Sequence, residues 1–220
     1  LGVMLDCSRN AVMKPEKVKE FIDILAKIGY NALELYMEDT YEIEGEPYFG
    51  YLRGGYTAQE LREIDAYAAA KGVELIPAIQ TLAHFNNLAK LPHYEDIIDI
   101  NDILLVENEK TYALIDKMFK TLSETFSSRL VNIGMDESHL IGLGKYLDAH
   151  GFTDRYELLF NHLERVAAIA DKHGFKLHMW SDMFFRIVNQ GEYYGKDIVL
   201  PSDVKRNLPK NVELVYWDYY

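Results

Sequence analysis

The sequence predicts an α/β protein built as a parallel (β/α)8 TIM-type barrel, of which about six β-α units are present. Three observations lead there. Short, nearly continuous apolar runs alternate with amphipathic helical segments, the pattern of parallel strands covered on both faces. One junction recurs, a glycine that stops a helix and then a strand: Gly29-Tyr30-Asn31-Ala32, Gly72-Val73-Glu74-Leu75 and Gly174-Phe175-Lys176-Leu177. Polar residues collect just after the apolar runs, as they do where a barrel enzyme carries its chemistry.

Val3-Met4-Leu5 is the first strand. Pro15 suits a first helical position, and Val18, Phe21, Ile22, Leu25 and Ile28 follow at helical spacing up to Gly29. The second strand is Ala32 to Met37, followed by a loop rich in Tyr and Gly to about Tyr56, whose Tyr41, Tyr48, Phe49 and Tyr51 form a wall. Thr57 and Glu60 make a capping box for a helix ending near Gly72, and Val73 to Ile79 is the third strand. The irregular stretch from Gln80 to about Glu107 is long enough for an active-site loop with one or two short helices of its own. Leu114, Ile115, Met118, Phe119 and Leu122 mark the third main helix, and Leu130 to Gly134 is the fourth strand. Tyr156 to Ala170 is the fourth main helix, capped by Thr153 and stopped at Gly174. Lys176 to Trp180 and Val212 to Trp217 are the fifth and sixth strands, with a short helical piece between them.

An open doubly wound sheet also fits the alternation. No glycine-rich phosphate loop follows the first strand, which weakens its dinucleotide-binding form. The polar groups are spread over successive strand ends: Asp6 and Arg9, Glu38 and Asp39, Gln80 and His84, Asp136 and Glu137, Ser181 and Asp182, and Asp218. An open sheet would gather them at one switch point. Six strands are two short of a closed barrel, so residues 1–220 are expected to be a single catalytic barrel domain that lacks its last two strands.

Lys plus Arg number 23 and Asp plus Glu 35, a formal net charge of 23 − 35 = −12. That balance argues against nucleic acid or an anionic membrane as partner, since both require basic patches. No run of 18 apolar residues suggests a transmembrane helix. The single cysteine, Cys7, sits in an apolar run as a buried thiol and allows no internal disulfide, which fits a reducing, cytoplasmic setting.

Asp136 and Glu137 close Val131-Asn132-Ile133-Gly134-Met135-Asp136-Glu137. Neighbouring residues of a regular strand point to opposite faces, but at a frayed strand end both can reach the mouth. Adjacent carboxylates repel, which favours keeping one protonated, as a general acid requires. The same pair in a surface loop would carry no chemistry.

The stretch Asn132 to Glu137 resembles the glycine-x-Asp-Glu motif of family 20 glycoside hydrolases, the β-N-acetylhexosaminidases. Leu5-Asp6-Cys7-Ser8-Arg9 is similar to that family's first-strand motif, Pro77 to His84 to its third-strand motif, and Met179-Trp180-Ser181-Asp182 and Val215-Tyr216-Trp217 to its two tryptophan-bearing strands. The five segments occur in the family's order. Met135, where many members have glycine, and Glu38-Asp39-Thr40-Tyr41, in place of an Asp-rich segment, point to a divergent bacterial, exo-acting subgroup.

The resemblance implies retaining, substrate-assisted removal of terminal β-linked N-acetylhexosamine, with no metal or cofactor and a small carbohydrate or glycan as partner. In that scheme the sugar's own acetamido oxygen attacks the anomeric carbon, so no protein nucleophile is needed. Glu137 protonates the leaving oxygen, and Asp136 orients the acetamido group and stabilises the oxazolinium-like intermediate. Arg9 binds ring hydroxyls, Trp180 and Trp217 wall the acetamido methyl, and His84 supports the acid pair. Glu38 and Asp182 are rim acids, and Tyr219 or Tyr220 bonds the acetamido carbonyl. Two alternatives stand beside it. One is a metal-dependent sugar isomerase or epimerase using Glu38, His84, Asp136, Glu137, His139 and Asp182. The other is a non-catalytic carbohydrate-binding barrel.

Overall fold

A computed structural model describes all residues except Asn10, Gln190, 195–199, Pro201 and Tyr220. The substrate contact expected of Tyr220 therefore lies outside the described residues. Strands β1 (Gly2–Asp6), β2 (Ala32–Glu38) and β3 (Glu74–Ile79) alternate with helices α1 (Pro15–Lys27) and α2 (Ala58–Ala70). After β3 come two short 3-10 helices, Leu88–Lys90 and Pro92–Ile97, and a small hairpin of β4 (Ile98–Ile100) and β5 (Ile103–Leu104). Helix α3 (Glu109–Thr125) leads to β6 (Leu130–Asn132), and α4 (Lys145–His150) and α5 (Arg155–Lys172) lead to β7 (Lys176–Trp180). Two short helices, α6 (Asp182–Val188) and α7 (Ser202–Asn207), precede β8 (Val212–Val215).

The main sheet has the order β1-β2-β3-β6-β7-β8, parallel throughout. This is six strands of the expected (β/α)8 barrel. The register sets Leu5 beside Leu35, Ala78 beside Asn132 and Met179 beside Leu214. Alternate strand residues such as Leu33, Leu35, Leu75, Val131 and Leu177 face outward and are buried against α1, α2, α3 and α5 through Ile22, Ile64, Ile115 and Leu163. Each such aliphatic side chain contributes roughly 2 kcal/mol of burial free energy. The opposite alternation points Asp6, Tyr36, Asn132 and Trp180 to the barrel interior.

Local chemistry explains the helix ends. Gly29, Gly72 and Gly174 all adopt positive φ (88°, 72° and 78°), so each helix reverses into its strand where a side chain would be strained. The capping box of α2 is complete: Thr57 Oγ1 accepts the Glu60 N–H at 3.1 Å and Glu60 Oε2 accepts the Thr57 N–H at 2.8 Å. Helix α5 corrects the expectation of a Thr153 cap. Asp154 caps it instead, its Oδ1 accepting the N–H groups of Tyr156 at 2.9 Å and Glu157 at 3.2 Å. A carboxylate also answers the positive helix end by charge, which a threonine hydroxyl cannot do.

The fourth strand ends earlier than the sequence pattern suggests, at Asn132, and the chain turns through Gly134 and Met135. Tyr41 and Phe49 are buried and pack edge to face at 5.2 Å, whereas Tyr48 and Tyr51 are exposed. The expected aromatic wall is thus half core and half surface. Among the described residues, no helix is long and apolar enough to cross a membrane.

Candidate active site

A cavity of about 380 Å³ opens at the carboxyl ends of the strands, lined from Met4 and Asp6 on the β1 side to Trp217 and Tyr219 beyond β8. Arg9, Tyr36, Asp136, Glu137 and Trp180 complete its wall. Six of the nine residues singled out from the sequence therefore meet in one place. The remaining three, Glu38, His84 and Asp182, stand behind that wall.

The turn after β6 delivers the acid pair. Gly134, Met135 and Glu137 all have left-handed backbone, at φ 70°, 66° and 52°. That conformation is uncommon outside glycine, and here it breaks strand alternation so that both carboxylates reach the cavity. Gln80, at the end of β3, braces the turn from one side. Its Oε1 accepts the Met135 N–H at 3.1 Å, while its Nε2 donates to Asp136 Oδ1 at 2.8 Å and to the Tyr36 hydroxyl at 2.9 Å. A side chain at position 134 would strike Gln80, the Cβ coming within 2.0 Å of Oε1. Glycine is the residue that fits.

The two carboxylates have unlike surroundings. Asp136 is largely enclosed, with its Oδ2 3.1 Å from His84 Nε2. Burial pushes its carboxyl up, but the His84 ring, the Gln80 amide and its own backbone outweigh burial and hold its pKa below the ordinary value. Burial opposes the His84 cation, yet Asp136, Glu38 and Glu137 raise its pKa above the ordinary range. Asp136 is thus held as an anion beside a partner that favours being a cation. The Glu137 side chain is 48% exposed, and its Oε2 lies 3.9 Å from His84 Nε2.

Arg9 is drawn to two acids, Asp6 at 3.2 Å and Glu38 at 3.6 Å, and lies over the Tyr36 ring at 5.2 Å. Its side chain remains 57% exposed, so its planar fork still has donors for a ligand. Glu38 is buried and accepts the Tyr36 hydroxyl at 3.1 Å. Burial pushes its carboxyl up, against the pull of His84 and Arg9. Asp182 is fully buried, and its Oδ2 accepts the Glu137 N–H at 3.0 Å. Burial and the nearby Asp136 and Glu137 push its pKa up to about 6, against the Glu137 N–H and Arg186. Both expected rim acids are therefore supports set behind the wall, because the strand and helix that carry them turn their carboxyls inward.

Trp180 and Trp217 face the cavity, and Trp217 is held by Tyr193, whose hydroxyl accepts the Trp217 N–H at 3.1 Å. Tyr219 lies 5.0 Å from the Trp217 ring and is 80% exposed. Donor atoms of His84, Asp136 and Glu137 lie within 4.8 Å of one another, the one such group among the described residues. His139, exposed on the same loop, does not join them. Sequence reasoning placed Gln80 after the third strand but gave it no part in the site, and it missed Tyr36. No local motif marks the network, since Gln80 reaches Asp136 across 56 residues and Tyr36 across 44.

The model of the glycosyl hydrolase family 20 catalytic domain matches residues 1–218. The chain belongs to family 20. Among curated relatives, hexosaminidase D of Bos taurus is 26% identical over 93% of this chain and 60% of its own length. The β-hexosaminidase of Vibrio furnissii is 28% identical over 91% of this chain and 39% of its own. The chain thus spans from about a quarter to three-fifths of the length of the curated relatives it matches. Two solved structures share the fold. An exo β-N-acetylglucosaminidase from Vibrio harveyi, in complex with N-acetylglucosamine, superposes with a TM-score of 0.77 at 21% identity, covering 99% of this chain and 38% of that one. A β-N-acetylhexosaminidase from Bacteroides fragilis does so with 0.74 at 20% identity, covering 97% and 43%.

Proposed function

We propose that the protein to which this chain belongs is an exo-acting glycoside hydrolase that removes terminal β-linked N-acetylhexosamine with retention, through the substrate's own acetamido group. The observation that carries this reading is the division of surroundings within the acid pair. Glu137 reaches into the cavity and donates the proton to the leaving oxygen, then takes one from water. Asp136, kept anionic by His84 and Gln80, has lone pairs left to accept the acetamido N–H and to stabilise the cationic intermediate. A cavity of about 380 Å³ suits one sugar residue better than an extended chain. Arg9 at one end supplies hydroxyl recognition, and the Trp180 and Trp217 faces at the other enclose the methyl group. Family membership supports the activity, and relatives from both animals and bacteria leave the bacterial subgroup resting on Met135 and Glu38-Asp39 alone.

The test uses the full-length protein with a chromogenic β-N-acetylglucosaminide and with the matching β-glucoside, which has no acetamido group. The first should be hydrolysed with retained anomeric configuration and the second should be nearly inert. Comparable turnover of both would sink the substrate-assisted reading. Glu137→Gln should lower turnover by about 10²–10⁴-fold.

A further inference from the structure

Asp182 opens α6, two residues beyond the end of β7, on the side of the acid-pair turn opposite Gln80. Its carboxyl is fully buried. Oδ2 accepts the Glu137 N–H at 3.0 Å across 45 residues of sequence, and Arg186 Nε lies 3.4 Å from the same oxygen. Among the described residues Oδ1 is buried without a hydrogen-bond partner, and the bond to the Glu137 N–H is the one this carboxyl makes. A buried carboxylate with one oxygen unpaired is costly, a cost that the Arg186 guanidinium and the Glu137 N–H offset in part. What it contacts is the backbone of a residue with φ of 52°, a conformation costing about 1–2 kcal/mol for a side-chain-bearing residue. Something must hold that residue there. Gln80 grips the turn at Met135 and Asp136, and nothing on the β3 side reaches the Glu137 N–H.

We propose that Asp182 is a positioning residue for the reaction: by accepting the Glu137 N–H it fixes the left-handed backbone that aims the Glu137 carboxyl into the cavity. The inference rests on the reading of Glu137 as proton donor. It differs from a rim role, in which Asp182 would touch the sugar and its loss would weaken binding.

Asp182→Ala and Asp182→Asn in the full-length enzyme test it. Removing the acceptor should lower kcat by roughly 10–100-fold, the scale of a small misplacement of a reacting group, with KM within about threefold. Asparagine keeps an oxygen acceptor in the same place and should recover most of kcat. In the Glu137→Gln background, Asp182→Ala should add little, because the group it aims is already gone. A KM rise at unchanged kcat, or an Asp182→Asn variant as slow as Asp182→Ala, overturns the proposal. If the alanine variant does not fold, amide exchange at Glu137 decides. Protection retained in Asp182→Asn supports the assignment, and exchange as slow in Asp182→Leu as in wild type overturns it. Should Glu137→Gln itself run at the wild-type rate, the proton-donor reading fails first, an outcome distinct from any failure of Asp182.

Discussion

Gly134→Ala is the most searching single perturbation of the acid-pair turn. The added Cβ would lie 2.0 Å from Gln80 Oε1 and 2.3 Å from its Cδ, far inside contact distance, so Gln80 must leave its place. Leaving costs its bonds to Met135 N–H and Tyr36, about 1 kcal/mol each, and the charge-assisted bond to Asp136, about 2 kcal/mol. A side chain at φ 70° adds about 1 kcal/mol. The sum, roughly 5 kcal/mol, is a ceiling, since Gln80 can recover part of it elsewhere. At about 2–4 °C per kcal/mol for a domain of this size, the melting temperature should fall by up to about 10–20 °C. Turnover should fall too, because Asp136 loses a donor. The decisive assay is a double-mutant cycle by thermal or urea unfolding. In a Gln80→Ala background the clash is absent, and Gly134→Ala should cost only the backbone strain of about 1 kcal/mol. Equal costs in the two backgrounds would refute the argument that Gly134 exists to admit Gln80.

Three further outcomes follow from the same geometry. His162 is fully buried and bridges Tyr112, 3.1 Å from Nδ1, and the Thr81 carbonyl, 2.9 Å from Nε2, so Nε2 carries the proton and the ring is neutral. Burial lowers its pKa from 6.5 to about 4, so the unfolded chain binds the proton first. Stability is full above pH 6.5 and falls by roughly 3 kcal/mol as pH drops to about 4, a slope that His162→Gln should flatten in urea titrations at pH 4.5 and 7. Extended treatment with a chelator should leave glycosidase activity unchanged, because His84 Nε2 is already engaged by Asp136. Loss on metal removal, restored by manganese or magnesium, would favour the isomerase reading. Trp217→Ala should weaken binding of N-acetylglucosamine more than it affects folding, as measured by calorimetry beside a melt, since the ring faces the cavity beyond the end of β8.

The fold was largely legible because its signals are local. A glycine stop followed by an apolar run, or Thr57 with Glu60 three residues on, is decided within one turn of chain. The choice between Thr153 and Asp154 as a cap was not legible, since both are cap formers and one residue separates them. The hairpin of β4 and β5 is too short to show a period. In the site, the acidic dipeptide and the tryptophans announce themselves by type. The burial of Asp182 and Glu38 does not, because it depends on which way one helix start and one strand end turn. Gln80 was hardest to read: an amide has no chemical signature of its own, and its importance lies wholly in partners brought from β2 and the turn after β6.

The cavity draws its walls from Met4 to Trp217, nearly the whole span of the chain. A ligand seated there would touch both β1 and the stretch after β8. Opening of β1 or of β8 would remove part of the cavity wall, so occupancy should suppress local opening at both strands together. Hydrogen exchange at β1 and β8 would then slow in concert on adding ligand, by the mass-action stabilisation of any state that binds.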